Sequence, residues 1–253
     1  MHFLGETLKS AGLFCSGLLK QPQMADTRSL ILETLHEKNR LKQLIYANTI
    51  SGFDLLRQAM EKVFNDFKPE VESWTEPTAR WKLQDVNAHE FSLTFGSDVM
   101  ILNHHSNVFQ FERSHPQWQT SYLKADEQRS YFGVIHVYNF LHDSLAYNRQ
   151  EDYGYLIARI FINKDNHFMV EGKRQLGFLY NRFSEDAISL EAFEKVLHTC
   201  LLYSLDFDLL LPQYDQVKLA TVEQVKAYTK LAMGRTGKRL GFRFEADNDG
   251  HLW

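Results

Sequence analysis

A change of apolar period partway along the chain limits its fold more than any other feature. Phe53, Leu56, Met60, Val63, Phe64 and Phe67 recur every three or four residues, the spacing that gathers side chains on one face of a helix. From Phe91 the period is two, with Phe91, Leu93 and Phe95 alternating with Ser92 and Thr94, as on a strand with one face toward a core. Helical spacing then returns in Phe193, Val196, Leu197, Cys200 and Leu201. Helices, then strands, then helices is a segregated order. It selects an α+β architecture, a mostly antiparallel β-sheet (a meander plus a hairpin) flanked by N-terminal and C-terminal helices, over the alternating pattern of a parallel-sheet fold. One sheet shared by both helical ends predicts a single domain over residues 24–253.

Local signals set the expected elements. Asp26 is placed to cap a helix over 26–47, and Ser51-Gly52-Phe53-Asp54 reads as a capping box opening a second helix that stops before Pro69. Gly96-Ser97-Asp98 and Asn103 to Asn107 read as turns between short strands, with further strands at Val134 to Leu141 and Leu176 to Tyr180. Residues 115–130 are polar and are expected to cross an edge as a loop or short helix. Tyr155 to Ile162 and Phe168 to Glu171 flank Asn163-Lys164-Asp165-Asn166, the strongest hairpin signal. Ser189 is the expected cap of a third helix, and Thr221 with Gln224 of a fourth ending near Gly234.

The first 23 residues are treated separately. Leu4, Leu8, Ala11, Cys15 and Leu18 repeat at helical spacing, so an amphipathic extension that packs on the body or on a second chain is expected, with Met24 as the alternative start. The segment fails as a secretory signal, since Gly12 and Ser16 break its apolar run and no Lys or Arg precedes Lys9. Composition is that of a chain able to build a core: hydrophobic residues are 44% and charged residues 24%. A net charge of −4 neither favours nor excludes an anionic partner, so any nucleic-acid site would be a local patch. Two distant cysteines, Cys15 and Cys200, make no disulfide framework. A soluble protein of the reducing cytoplasm is the expectation.

Several motifs are excluded by their own chemistry. Gly234-Arg235-Thr236-Gly237-Lys238-Arg239 has Arg239 where a phosphate loop needs a magnesium-binding hydroxyl, and it follows a predicted helix instead of a strand. Glu245 to Gly250 lacks the later bidentate glutamate of a calcium loop. There is no Cys-x-x-Cys, His-Glu-x-x-His or Gly-x-Ser-x-Gly.

Three constellations remain. Glu171 and Lys173 lie two apart on a predicted strand and share its face, as in metal-dependent nucleases of the PD-(D/E)xK type, with Asp152 or Asp165 as the second acidic ligand. A strand-end ion pair explains the same two residues. His104, His105, His136, His142 and Asp143 offer metal-ligand chemistry without a ligand spacing, so no metal is assigned. Gly172-Lys173-Arg174 and Gly237-Lys238-Arg239 each place a basic turn before an aromatic segment, so Lys173, Arg174, Lys238 and Arg239 are the candidate anion-binding residues.

No catalytic motif survives. The favoured expectation is therefore a non-enzymatic binding or regulatory module whose sheet face or basic turns receive an anionic ligand, nucleic acid or protein partner, with no cofactor specified. A nuclease or phosphodiesterase using Glu171, Lys173 and Asp152 or Asp165 is the alternative. A structural protein that assembles through residues 1–23 is the third.

Overall fold

The computed structural model describes residues 24–75, 80–150, 152–206 and 214–223. Its first element is one 49-residue helix, α1 (Met24–Glu72), where two helices were expected. The supposed break at Ser51-Gly52 is a packing device. A Cβ on Gly52 would run into the Ile162 side chain, so glycine lets the helix backbone close on the sheet at a cost of about 1 kcal/mol in helix propensity. Pro69 lies inside the last turn instead of ending the helix before it.

Six strands follow: β1 (Trp81–Asn87), β2 (Glu90–Phe95), β3 (Asp98–Gln110), β4 (Tyr131–Leu141), β5 (Tyr155–Asn163) and β6 (Phe168–Gly172). They form one antiparallel sheet in chain order, so the expected meander and hairpin are a single meander. β1 was missed in the sequence because only Trp81 and Leu83 are even half-buried and the rest of the strand is exposed. The stretch Asn103 to Asn107 is not a turn. β3 runs straight through it by a bulge, with His104 opposite Ile135 and Val108 opposite Gly133, so extra polar residues leave the ladder and pairing resumes.

Short helices connect the strands: α2 (Ser121–Ala125), capped by Thr120, and α3 (His142–Ala146). Leu176 to Tyr180 is not a strand, since Leu176–Leu179 is the helical turn α4. Ser189 caps α5 (Leu190–Leu205) by accepting a hydrogen bond from the Ala192 N–H, as its sequence predicts. The last described helix is α6 (Tyr214–Val217). The expected helix from Thr221 lies almost wholly outside the described residues, as do residues 1–23, Lys238 and Arg239.

One face of the sheet is sealed. Phe91, Leu93, Met100, Leu102, Ile135, Val137, Ile160, Ile162, Phe168 and Val170 form one buried cluster with Phe53, Leu56, Met60 and Val63 of α1 and Phe193, Val196 and Leu197 of α5. On the opposite, outer face a second cluster of Phe111, Trp118, Leu123, Phe132, Val134, Phe161, Met169 and Phe183 covers one end only. Contacts divide the chain into a unit through Arg40 and a unit from Leu41 onward. Residues 26–40 of α1 are all exposed, Leu30, Ile31, Leu32 and Leu35 among them. No described helix is long and apolar enough to cross a membrane.

Candidate functional site

The uncovered end of the outer face carries a groove. Strand pairing puts Lys82, Thr94 and Val99 in one row and Gln84, Ser92 and Ile101 in the next, and residues paired across neighbouring strands project to the same side. Alternation gives these positions their chemistry: Phe91, Leu93 and Phe95 point into the core, so Ser92 and Thr94 point out. α3 stands beside them. Its first residue is fixed by the His142 N–H, which donates to the Ser97 carbonyl at 2.8 Å, tying α3 to the turn between β2 and β3. The half-open space between them is about 450 Å³, lined by Arg80, Lys82, Gln84, Ser92, Thr94 and His142, with Trp81, Val99, Leu145 and Ala146 as its apolar part.

The described lining of the groove carries positive charge and neutral donors. Arg80 and Lys82 supply full positive charge at its rim, and Gln84, Ser92 and Thr94 supply neutral donors on its floor. Ser92 is only 8% exposed, and the groove is among what borders it. Among the described residues His142 Nδ1 is buried without a hydrogen-bond partner, with an Asp143 carboxylate oxygen 3.5 Å away. No aspartate or glutamate is among the described residues that line the space. Leu145 is 46% exposed beside it, so a ligand carrying an apolar portion would find cover.

Of the residues singled out in the sequence, His142 lines the groove, Lys238 and Arg239 lie outside the described residues, and Glu171, Asp152 and Asp165 are placed elsewhere and are not brought together. Glu171 faces Arg159 directly across the β5–β6 ladder and forms an ion pair with its guanidinium. Asp152 accepts a hydrogen bond from the Ser144 hydroxyl at 2.8 Å. Asp165 sits in the β5–β6 turn, where Tyr122 donates to it at 2.9 Å and Arg129 at 2.8 Å. Burial alone would raise the Asp165 carboxyl; the hydrogen bonds from Tyr122 and Arg129 and the charge of Lys164 overcome that and hold it below the usual carboxylate range. Asp126 is held low by its hydrogen bond from Lys164, which is raised in turn. The Tyr122 hydroxyl is pushed up to about 12 by burial. This polar cluster fastens the 120–130 segment to the hairpin and is structural.

Among the described residues no group of three His, Cys, Asp or Glu side chains is placed to hold a metal ion. The histidines divide between faces. His104 points toward α1, packed on Tyr46 and Phe53, whereas His105 and His136 share the outer face with ring centroids 6.2 Å apart. Burial, with His105 and Arg159 nearby, keeps the His136 pKa below its ordinary value. Arg174 is engaged by Asp206 at 2.7 Å and lies over the Tyr203 ring, so the Gly172-Lys173-Arg174 turn is part of the packing of α5. Protein families, curated proteins and solved structures contain no match to this chain.

Apart from His142, nothing local in the sequence marks the groove residues. Ser92 and Thr94 were recognised as the outward positions of a strand, but the covering of that face depends on residues 20 to 50 positions away.

Proposed function

We propose that this chain is a non-enzymatic binding module whose outer sheet face receives a small anionic ligand in the groove beside α3. The observation that carries the reading is the groove's lining: two basic side chains and His142 converge with three neutral donors and no carboxylate among the described residues. A volume of about 450 Å³ falls in the range of small-molecule sites, and its apolar side fits a phosphorylated or carboxylated ligand with a short hydrocarbon or ring portion.

The test is a thermal-shift panel of sulfate, phosphate, small carboxylates and nucleoside monophosphates at matched ionic strength. At a hundred times its Kd a ligand adds about 2.7 kcal/mol of stability. Lys82→Glu is expected to weaken the best ligand by about tenfold or more, the effect of placing a like charge at the rim. The reading fails if no anion stabilises more than chloride, or if Lys82→Glu responds as the parent does.

A second reading, assembly, has one specific observation in its favour. Leu30, Ile31, Leu32 and Leu35 are 53–63% exposed within six residues of α1, more exposed aliphatic surface than a lone helix ordinarily carries. Light scattering of the parent and of Leu32→Glu/Leu35→Glu tests it: a larger parent particle that the double variant reduces supports assembly, and a monomer in both removes it. The nuclease reading has less support, because Glu171, Asp152 and Asp165 each face a different partner.

A further inference from the structure

We propose that His89 and His104 form an acid-sensitive latch that holds β1, and with it the Lys82 and Gln84 wall of the groove, on the sheet. The consequence for ligand rests on the binding reading above; the latch itself does not.

His104 is 4% exposed. Its ring packs on Tyr46 and Phe53 of α1 with centroids at 5.9 and 5.3 Å. Nε2 lies 2.6 Å from Nδ1 of His89, in the turn between β1 and β2, and Nδ1 lies 3.3 Å from the His105 carbonyl. A carbonyl only accepts, so Nδ1 of His104 carries the hydrogen, Nε2 is the acceptor and His89 donates. The bond needs at least one neutral ring. Two protonated rings would set two N–H groups against each other at hydrogen-bond distance.

β1 is the strand most dependent on such a bond. It is an edge strand with one neighbour, and five of its seven residues are exposed. At its start Trp81 stacks on Phe64 and donates its indole N–H to the Phe64 carbonyl at 2.9 Å. At its far end, besides its pairing with β2 and the hydrogen bond from the His89 N–H to the Asn87 side chain at 2.7 Å, β1 is held by Arg57 and the imidazole pair. Arg57 reaches Asp85 at 3.3 Å and the Asn87 carbonyl at 3.3 Å, and the backbone N–H of His104 donates to the His89 carbonyl at 3.1 Å.

Charged and titratable groups near His104 come from α1, β2, β3 and the β1–β2 turn. α1 brings Asp54 and Arg57, β2 brings Glu90 next to the paired Asn103, β3 brings His105 and the turn brings His89, while the β4 partner is the apolar Ile135. Burial is the largest influence and disfavours the charged ring. His89 and His105 act in the same sense, and they outweigh the His105 carbonyl and Asp54, so the His104 pKa lies below its ordinary value. The latched state therefore takes up a proton less readily than the released state, whose imidazole returns toward about 6.5. Latching is complete above that pH and is lost as pH falls below it, by at most about tenfold per pH unit for one proton.

The experiment is amide hydrogen exchange on the full chain from pH 7.5 to 5, corrected for intrinsic rates, in the parent and in His89→Gln. Glutamine can donate to or accept from Nε2 and does not titrate. Opening of residues 81–91 and of the His104 amide is expected to rise by up to about tenfold between pH 6.5 and 5.5 in the parent, and by a smaller factor in His89→Gln, where His104 is still buried but a protonated Nε2 can donate to the glutamine amide oxygen, with β4 and β5 unchanged in both. Equal profiles in the two proteins, or a rise spread over β4 and β5, would overturn the latch. Sulfate, whose charge is constant over this range, reports the groove: its affinity is expected to fall with pH in the parent relative to His89→Gln, and an identical pH profile in the two refutes the coupling. If sulfate binds neither protein, the binding reading is what fails, and hydrogen exchange still decides the latch.

Discussion

The two faces of the sheet are built from the same strands and by the same alternation, yet they do different work. On the inner face nearly every position is apolar and fully buried, under a helix from each end of the chain. On the outer face one end is closed by the segment 111–130 and held by a polar cluster, and the other end is left with hydroxyls, an amide and two cations facing a groove. Period-two patterning specifies which residues share a side. Whether that side is covered is decided by chain far away, and that difference separates a core from an open surface.

The contrast breaks most visibly on the inner side. Phe168 is fully buried, with its ring against Tyr180 and Phe193 at centroid distances of 5.0 and 5.3 Å. Phe168→Ala is expected to cost about 3–5 kcal/mol in denaturant unfolding, the range for a buried aromatic truncated to a cavity. Gly133 comes next. A Cβ there would overlap the Thr49 side chain of α1, so Gly133→Ala is expected to cost about 1–3 kcal/mol through overpacking. Adding Thr49→Ala should return part of that loss, because the two residues share one contact; strict additivity would show the strain lies elsewhere.

At the closed end of the outer face the fastening is polar, and its loss is smaller. Tyr122 donates to Asp165 and accepts from Asn163 at 3.0 Å. Tyr122→Phe is expected to cost about 1 kcal/mol, since Asp165 stays paired with Arg129 and is partly solvated. Asp126 and Asp165 both titrate below the ordinary carboxylate value. Their contribution is present above about pH 4 and is lost as pH falls through the depressed folded values. Hydrogen exchange below pH 4 should therefore loosen residues 120–130 before β4 and β5; a simultaneous loss would show that the cluster holds the whole sheet and not one segment.

Much of the inner face was legible in the sequence. The stripe from Phe53 to Phe67, the alternation from Phe91 to Phe95 and the cap at Ser189 are local patterns, and the elements they predict are present. The misreadings have one physical source: residues whose local preference is overruled by a distant contact. Gly52 looks like a helix boundary until Ile162 is seen against it. His104 to Asn107 look like a turn until β4 is found pairing on both sides of the bulge. Glu171 looks like a ligand until Arg159 is found across the ladder. Apart from His142 the groove left no trace, because Lys82, Ser92 and Thr94 are ordinary outward residues; their meaning comes from α3, whose start is held by the Asp98–Leu141 pairing and by the β2–β3 turn.

The smallest expected effect separates the two faces most sharply. Lys82 is exposed on an edge strand and forms no ion pair among the described residues. Lys82→Ala should change unfolding free energy by no more than about 0.5 kcal/mol, as is usual for surface substitutions away from a cap or a core. The same substitution should remove most of the stabilisation that an anion gives, since the charge it deletes is one of the two at the groove rim. Phe168→Ala is its converse, lowering stability with or without ligand while leaving the ligand-dependent increment in place at temperatures where the variant is folded. If Lys82→Ala instead destabilised the unliganded chain as much as Tyr122→Phe does, Lys82 would be serving the fold and the groove would lose its principal cation.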